Sequence, residues 1–250
     1  MTRFIGILSG KGGVGKTIVA INLGTTLAHN FRKNVTIVDC NITASHLGLY
    51  LGMYYSPITI NKVLKGESTI EEAIYKHFSG VNIVPASISL TDIRDLDIVS
   101  MSDKIRNLSN KSDIVLLDFS PGLGRETMAA LKACDEVLYV TTPYVPSVMD
   151  VIRNHEVVSE FGIKPLGIVL NMVDNQKHEM TIKEIEHLTR LPVIGSIPYD
   201  KNVNKSMASN TPLILMKPRT KASVSFKKLA STLMNEKYKE SFLEKVKKHF

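Results

Sequence analysis

Between Gly10 and Thr17 the chain reads Gly-Lys-Gly-Gly-Val-Gly-Lys-Thr, and this segment restricts the fold more than any other feature. An apolar run, Phe4 to Leu8, precedes it, and a helical pattern with Val19, Leu23 and Leu27 on one side follows. Strand, glycine turn and helix in that order form the setting in which Gly-x-x-x-x-Gly-Lys-Thr acts as a phosphate loop. The glycines let backbone N–H groups curl around an anion, and the helix start adds partial positive charge. Lys16 is placed to meet β- and γ-phosphate oxygens, and the Thr17 hydroxyl to ligate magnesium. A steric glycine turn alone would not require a Lys-Thr pair at its end. Gly10, Lys11, Gly12, Gly13, Val14, Gly15, Lys16, Thr17 and Ile18 are therefore the expected phosphate-binding residues.

Short β-branched runs alternate with longer segments of helical period, which predicts an α/β fold: a mostly parallel, twisted sheet with helices on both faces. Strands are expected at Phe4–Leu8, Val35–Asp39, Val81–Val84, Ile114–Asp118, Glu136–Thr141, Gly167–Asn171 and Val193–Ile197. The near-continuous apolar run of Ile114 to Leu117 predicts burial on both sheet faces. Helices are expected from Lys16 to about Asn30 and near Ile60–Leu64, Leu96–Ser109, Arg125–Ala133, Pro146–Glu160, Thr181–Leu188 and Thr220–Met234. With 250 residues, 44% of them hydrophobic, the chain suits one α/β domain. No repeat or Pro/Gly-rich linker divides it, so the domain is read as residues 1–234, followed by a charged tail, 235–250.

Two cysteines, Cys40 and Cys134, are too few for a disulfide scaffold and have no Cys-x-x-Cys spacing. Both are read as structural, one ending a buried strand and the other following a helix. No stretch approaches the roughly 18 uninterrupted apolar residues of a membrane span, and a cytoplasmic location is expected. The net charge of +7 favours polyanions such as nucleotides, nucleic acid or anionic lipid, with much of the lysine between Lys217 and Lys248.

A second lysine at position 11 adds like charge close to the phosphates. The run Lys11-Gly12-Gly13-Val14-Gly15-Lys16-Thr17 resembles the deviant Walker A motif of the MinD/ParA/Mrp/nitrogenase-iron-protein group of P-loop ATPases. The resemblance implies ATP or ADP with Mg2+ as cofactors and an ATP-dependent homodimer in which Lys11 reaches the partner's phosphates, as an arginine finger does. Asp118-Phe119-Ser120-Pro121-Gly122 is similar to the family's Asp-x-x-Pro-Gly segment. Asp118, at a strand's C-terminal end, then holds magnesium, and Gly122 lets its backbone approach the γ-phosphate. Asp39-Cys40-Asn41 falls where the family carries switch I and its aspartates. Asp39 matches the first, as a catalytic and metal-facing residue. Asn41 stands where MinD and ParA proteins usually have the second, and His46 where MinD proteins often have Asn. An amide can orient water but cannot take its proton as a carboxylate does, so slow or partner-dependent hydrolysis is expected. By the same resemblance Lys11, Lys16, Asp39 and Asn41 are the catalytic set. Asn171 reads the adenine, and Pro198, Tyr199 and Asp200 line the other side of the base; an ordinary capping Asn and a surface turn are the alternative readings. The likeness runs from about Ile5 to Met234, including Thr141-Thr142-Pro143 and Ser147 to Asp150.

In the tail, Tyr238, Phe242, Leu243, Val246, His249 and Phe250 lie near one helical face and lysines on the other. Such a helix suits an anionic membrane surface, as in MinD proteins, and equally a final helix packed on protein. Three functions follow: a MinD-like ATPase switch acting with a membrane or protein partner, a ParA-like DNA-segregation ATPase binding DNA nonspecifically, and a nucleotide-gated binding module that hydrolyses weakly. The chain lacks the cysteine arrangement of the iron–sulfur carriers that share the loop.

Overall fold

The computed structural model of the protein describes residues 1–237, so most of the tail helix considered above lies outside the described residues. Its strands are β1 (Arg3–Leu8), β2 (Val35–Asp39), β3 (Tyr75–Lys76), β4 (Asn82–Val84), β5 (Ile114–Asp118), β6 (Glu136–Thr141), β7 (Lys164–Val173) and β8 (Val193–Pro198). They form one sheet in the order β3-β4-β2-β5-β1-β6-β7-β8, parallel throughout except for β3, which pairs antiparallel with β4. The helices are α1 (Lys16–Phe31), α2 (Leu47–Tyr50), α3 (Ile60–Leu64), α4 (Met101–Arg106), α5 (Arg125–Leu131), α6 (Val145–Glu160), α7 (Ile182–Thr189), α8 (Asn202–Ala208), α9 (Leu213–Met216) and α10 (Lys221–Leu233).

Alternation along each central strand builds two cores. Phe4 and Leu8 of β1 join Val115 and Leu117 of β5 under α3 to α7, while Ile5, Ile7, Ile114 and Leu116 pack beneath α1, α9 and α10. With helices on both faces nearly every position of these strands is buried, and the two-residue alternation is hidden in the sequence.

The expected strands are all present, and β7 extends further on both sides than Gly167–Asn171. One helix is much shorter than expected. Leu96–Ser109 contracts to α4, because Asp95 takes a left-handed φ of 57° and the Asp97 N–H donates to the Leu64 carbonyl instead of continuing a helix. Helices α2, α8 and α9 and the strand β3 were not anticipated; each is too short for a periodic signal.

Register sets the chemistry. Asp118, the last residue of β5, lies beside Ile7 of β1 and Asp39 of β2, so the C-terminal edge of the sheet gathers two carboxylates next to the turn leaving β1. Ligands of open α/β sheets bind at this edge.

Candidate nucleotide site

Helix α1 starts directly from the glycine turn. Its N-cap is Gly15 at φ 89°, with no side-chain cap and no acidic residue in the first turn, which leaves the helix-start N–H groups for an anion. At Gly15 the packing also demands glycine: a Cβ would stand 2.2 Å from Asn171 Nδ2. That amide donates to the Val14 carbonyl at 2.8 Å and fixes the loop from behind. Gly10 is pressed against α6, where a Cβ would lie 2.0 Å from that of Asp150. A cleft of about 630 Å³ opens in front, bordered by Gly12, Gly13, Gly15, Lys16, Thr17 and Ile18 of the loop. The volume suits a nucleotide-sized ligand.

The two lysines differ. Lys16 is 7% exposed, and burial pulls its pKa below the ordinary lysine value, opposed by the nearby Asp118 carboxylate. Lys11 sits on the rim with its side chain 48% exposed, and its ammonium lies 4.0 Å from Asp150, which also faces Arg153 at 3.5 Å. Gly10, Lys11, Val14 and Gly122 do not border the cleft. The Gly122 N–H donates to the Ser9 carbonyl at 2.8 Å, so it braces the loop's entry.

The paired carboxylates show what else the site is built for. Asp39 is buried; loss of water, then repulsion from Asp118, pushes its pKa up to about 7, against hydrogen bonds from Ser45 Oγ at 2.7 Å and the Asn41 N–H at 3.0 Å. Burial raises Asp118 to about 6, while Thr17 and Lys16 pull the other way. Its Oδ1 is buried without a hydrogen-bond partner. Two adjoining buried carboxylates, one with an orphaned oxygen beside a threonine hydroxyl, fit a hard divalent cation. No cluster of three or more His, Cys, Asp or Glu occurs among the described residues. Magnesium in nucleotide sites needs only one or two carboxylates, since phosphates and water complete its shell.

Opposite the loop, Asn41 donates from Nδ2 to the Ala44 carbonyl at 2.6 Å and turns Oδ1 toward Ser120 Oγ at 3.0 Å. Ser120 lies 2.8 Å from Glu126 Oε1, which also accepts from Thr43 Oγ1 at 3.2 Å. The segments after β2 and β5 are thus tied by side chains. His46 and Tyr50 stack at 6.1 Å on the same wall. Asn171, Pro198, Tyr199 and Asp200 also border the cleft. Tyr199 is 59% exposed, and Asp200 Oδ1 accepts from the Asn202 backbone at 2.8 Å. Asn171 spends one amide hydrogen on Val14, so bracing the loop is a role it has in addition to any contact with a base. Sequence reasoning gave no role to Ser45 or Glu126, and none to Ser120 and Asp150 although both fall in segments that resemble the family's. Glu126 is an acidic residue in the first turn of the helix after Asp-x-x-Pro-Gly, which is a local signal for it.

By fold and site the protein is a P-loop NTPase. A family model, ParA, described as NUBPL iron-transfer P-loop NTPase, matches residues 1–234, and the chain belongs to this family. It is 34% identical over 250 residues to an uncharacterized ATP-binding protein of Methanocaldococcus jannaschii, covering 100% of this chain and 94% of the relative. The cell division ATPase MinD of Pyrococcus furiosus superposes with a TM-score of 0.90 at 31% identity, covering 94% of this chain and 99% of that one. The septum site-determining protein MinD of Pyrococcus horikoshii, solved with Mg-ADP, gives 0.89 at 31% identity, covering 93% and 96%. Both cysteines here are free and buried in the core.

Proposed function

We propose that the protein is a MinD-like ATPase switch. Mg-ATP closes a homodimer, the closed form engages a membrane surface or a protein partner in spatial positioning, and slow or partner-stimulated hydrolysis releases it. The observation that carries the reading is the division of labour between the lysines: Lys16 is enclosed beside Asp118, whereas Lys11 stands on the rim outside its own cleft. A rim cation loosely held by Asp150 is suited to the phosphates of a second subunit, and only contacts that differ between nucleotide states can drive a cycle.

In this mechanism the helix-start N–H groups and Lys16 hold the phosphates, and Thr17, Asp118 and Asp39 hold Mg2+. The ion, when bound, neutralises phosphate charge and polarises the transferred group. Asn41 orients the attacking water without accepting its proton, which supports slow turnover and an activator as partner. Asn171, Pro198, Tyr199 and Asp200 enclose the base. The domain spans residues 1–234, and the tail 235–250 is the membrane-targeting segment of a cytoplasmic protein that lies peripherally on the inner face of the membrane. Its basic, apolar-faced sequence supports this, and among the described residues no helix is long and apolar enough to cross a membrane.

Light scattering with ADP, and with a non-hydrolysable ATP analogue plus Mg2+, tests the switch. A doubled mass with the triphosphate alone, abolished by Lys11→Ala, is expected. A monomer under every condition would overturn the proposal.

A further inference from the structure

Asn41 leaves the site without a proton acceptor at the position where the family usually has one, yet the cleft is not without carboxylates. Among the described residues bordering it, these are Asp200 and Glu126. Asp200 lies at the base end, with Oδ1 held by the backbone and side chain of Asn202. Glu126 lies at the phosphate end, where Ser120 Oγ stands 2.8 Å from its Oε1 and 3.0 Å from Asn41 Oδ1.

A hydroxyl has one hydrogen and cannot serve both acceptors. An ionised carboxylate makes the stronger, charge-assisted bond, so the Ser120 proton belongs to Glu126. Asn41 cannot be turned to offer Ser120 its NH2 instead, because Nδ2 is engaged by the Ala44 carbonyl at 2.6 Å. Two acceptors are thereby left facing the cleft: Asn41 Oδ1 and a lone pair on Ser120 Oγ. A water molecule donating to both is held in one orientation.

We infer that Glu126 is a positioning residue for hydrolysis which, acting through the Ser120 hydroxyl, fixes the attacking water and draws off the proton that Asn41 cannot take. This rests on the ATPase reading above. As the water oxygen bonds to the γ-phosphorus, its proton passes to Ser120 Oγ while the Ser120 proton passes to Glu126 Oε1. The bond from γ-phosphorus to the β,γ-bridging oxygen breaks, and its electron pair leaves with ADP. Glu126, only part-buried, returns the proton to solvent.

The test is single-turnover hydrolysis with saturating Mg-ATP, run beside nucleotide affinity and triphosphate-dependent mass. Glu126→Gln keeps the shape and removes the basicity. The expected result is a rate lower by about 100-fold, on the scale of general-base catalysis, with affinity and dimer mass within about twofold of the parent. Glu126→Asp is expected to recover part of the rate. Adding Asn41→Asp to Glu126→Gln is expected to restore turnover, because a carboxylate at position 41 bypasses the relay; a merely structural Glu126 would not be rescued this way. Parental rates in Glu126→Gln, or a loss that Asn41→Asp does not repair, would overturn the inference while leaving the switch intact. A parent chain that binds but never hydrolyses ATP would overturn both.

Discussion

The two walls of the cleft are built differently. The loop wall is fixed by the core: Val14 is buried, its carbonyl is held by a buried Asn171 on β7, and Gly10 and Gly15 each touch a neighbour closer than any side chain would permit. The facing wall, from Asn41 to Ser45 and Ser120 to Glu126, is joined across its two segments by hydroxyl and carboxylate contacts that are exposed or part-buried. A wall fixed by packing presents the phosphates with one shape. A wall held by exchangeable hydrogen bonds can answer to what is bound, since such bonds are easily replaced by bonds to ligand or water.

Substitution on the loop wall should have the largest effect. Gly15→Val forces a β-branched residue into a left-handed φ of 89° with Asn171 at 2.2 Å from its Cβ. Left-handed backbone costs about 1–2 kcal/mol and overpacking another 1–3 kcal/mol, so nucleotide affinity measured by titration calorimetry should fall by about 100-fold or more. Asn171→Ala leaves the Val14 carbonyl unpaired, at about 1–3 kcal/mol, and should weaken affinity by roughly tenfold. Thr43→Ala on the facing wall removes only an exposed bond at 3.2 Å and should leave affinity within about twofold. A Thr43→Ala defect equal to that of Asn171→Ala would erase the distinction between the walls.

The same contrast explains what could be read in the sequence. Gly10, Gly15, Lys16 and Thr17 announce themselves because a phosphate loop needs special backbone conformations and a fixed order of residue types, and Asp118 follows from its place at the end of an apolar strand. The central strands were legible for a related reason, burial on both faces leaving unbroken apolar runs. Side chains that meet only after folding were not. Ser120, Thr43 and Glu126 come from two segments and carry no pattern that links them, and Asp150 reaches Lys11 from a helix far along the chain. The Gly122 N–H braces Ser9, a use that depends on how two loops cross and that no local pattern records. The short helices α2, α8 and α9 owe their form to tertiary contacts, such as the Asn22 side-chain carbonyl accepting from the Ile214 N–H.

The smallest effect expected is one of pH. Burial raises the Asp118 pKa from 3.8 to about 6 in the ligand-free protein. Below 3.8 the group is protonated folded or unfolded and contributes nothing to the difference. Between 3.8 and about 6 the unfolded chain has released a proton that the folded chain retains, so the contribution of Asp118 to stability falls as pH rises, then stays constant above that range. In thermal melts without ligand, Asp118→Asn should therefore gain on the parent across this interval and on to about pH 7, because the Asp118 charge also holds Asp39 up. A parent and variant whose melts run parallel from acid to neutral pH would mean that the carboxylate titrates normally.

All of this depends on the buried carboxylates and the glycine loop serving one ligand, and calorimetric titration of ATP into the protein with and without Mg2+ tests that directly. One nucleotide per chain is expected, bound markedly tighter with the ion, with an ion effect that vanishes in Asp118→Asn. Absence of binding, or binding indifferent to both Mg2+ and Asp118, would contradict it.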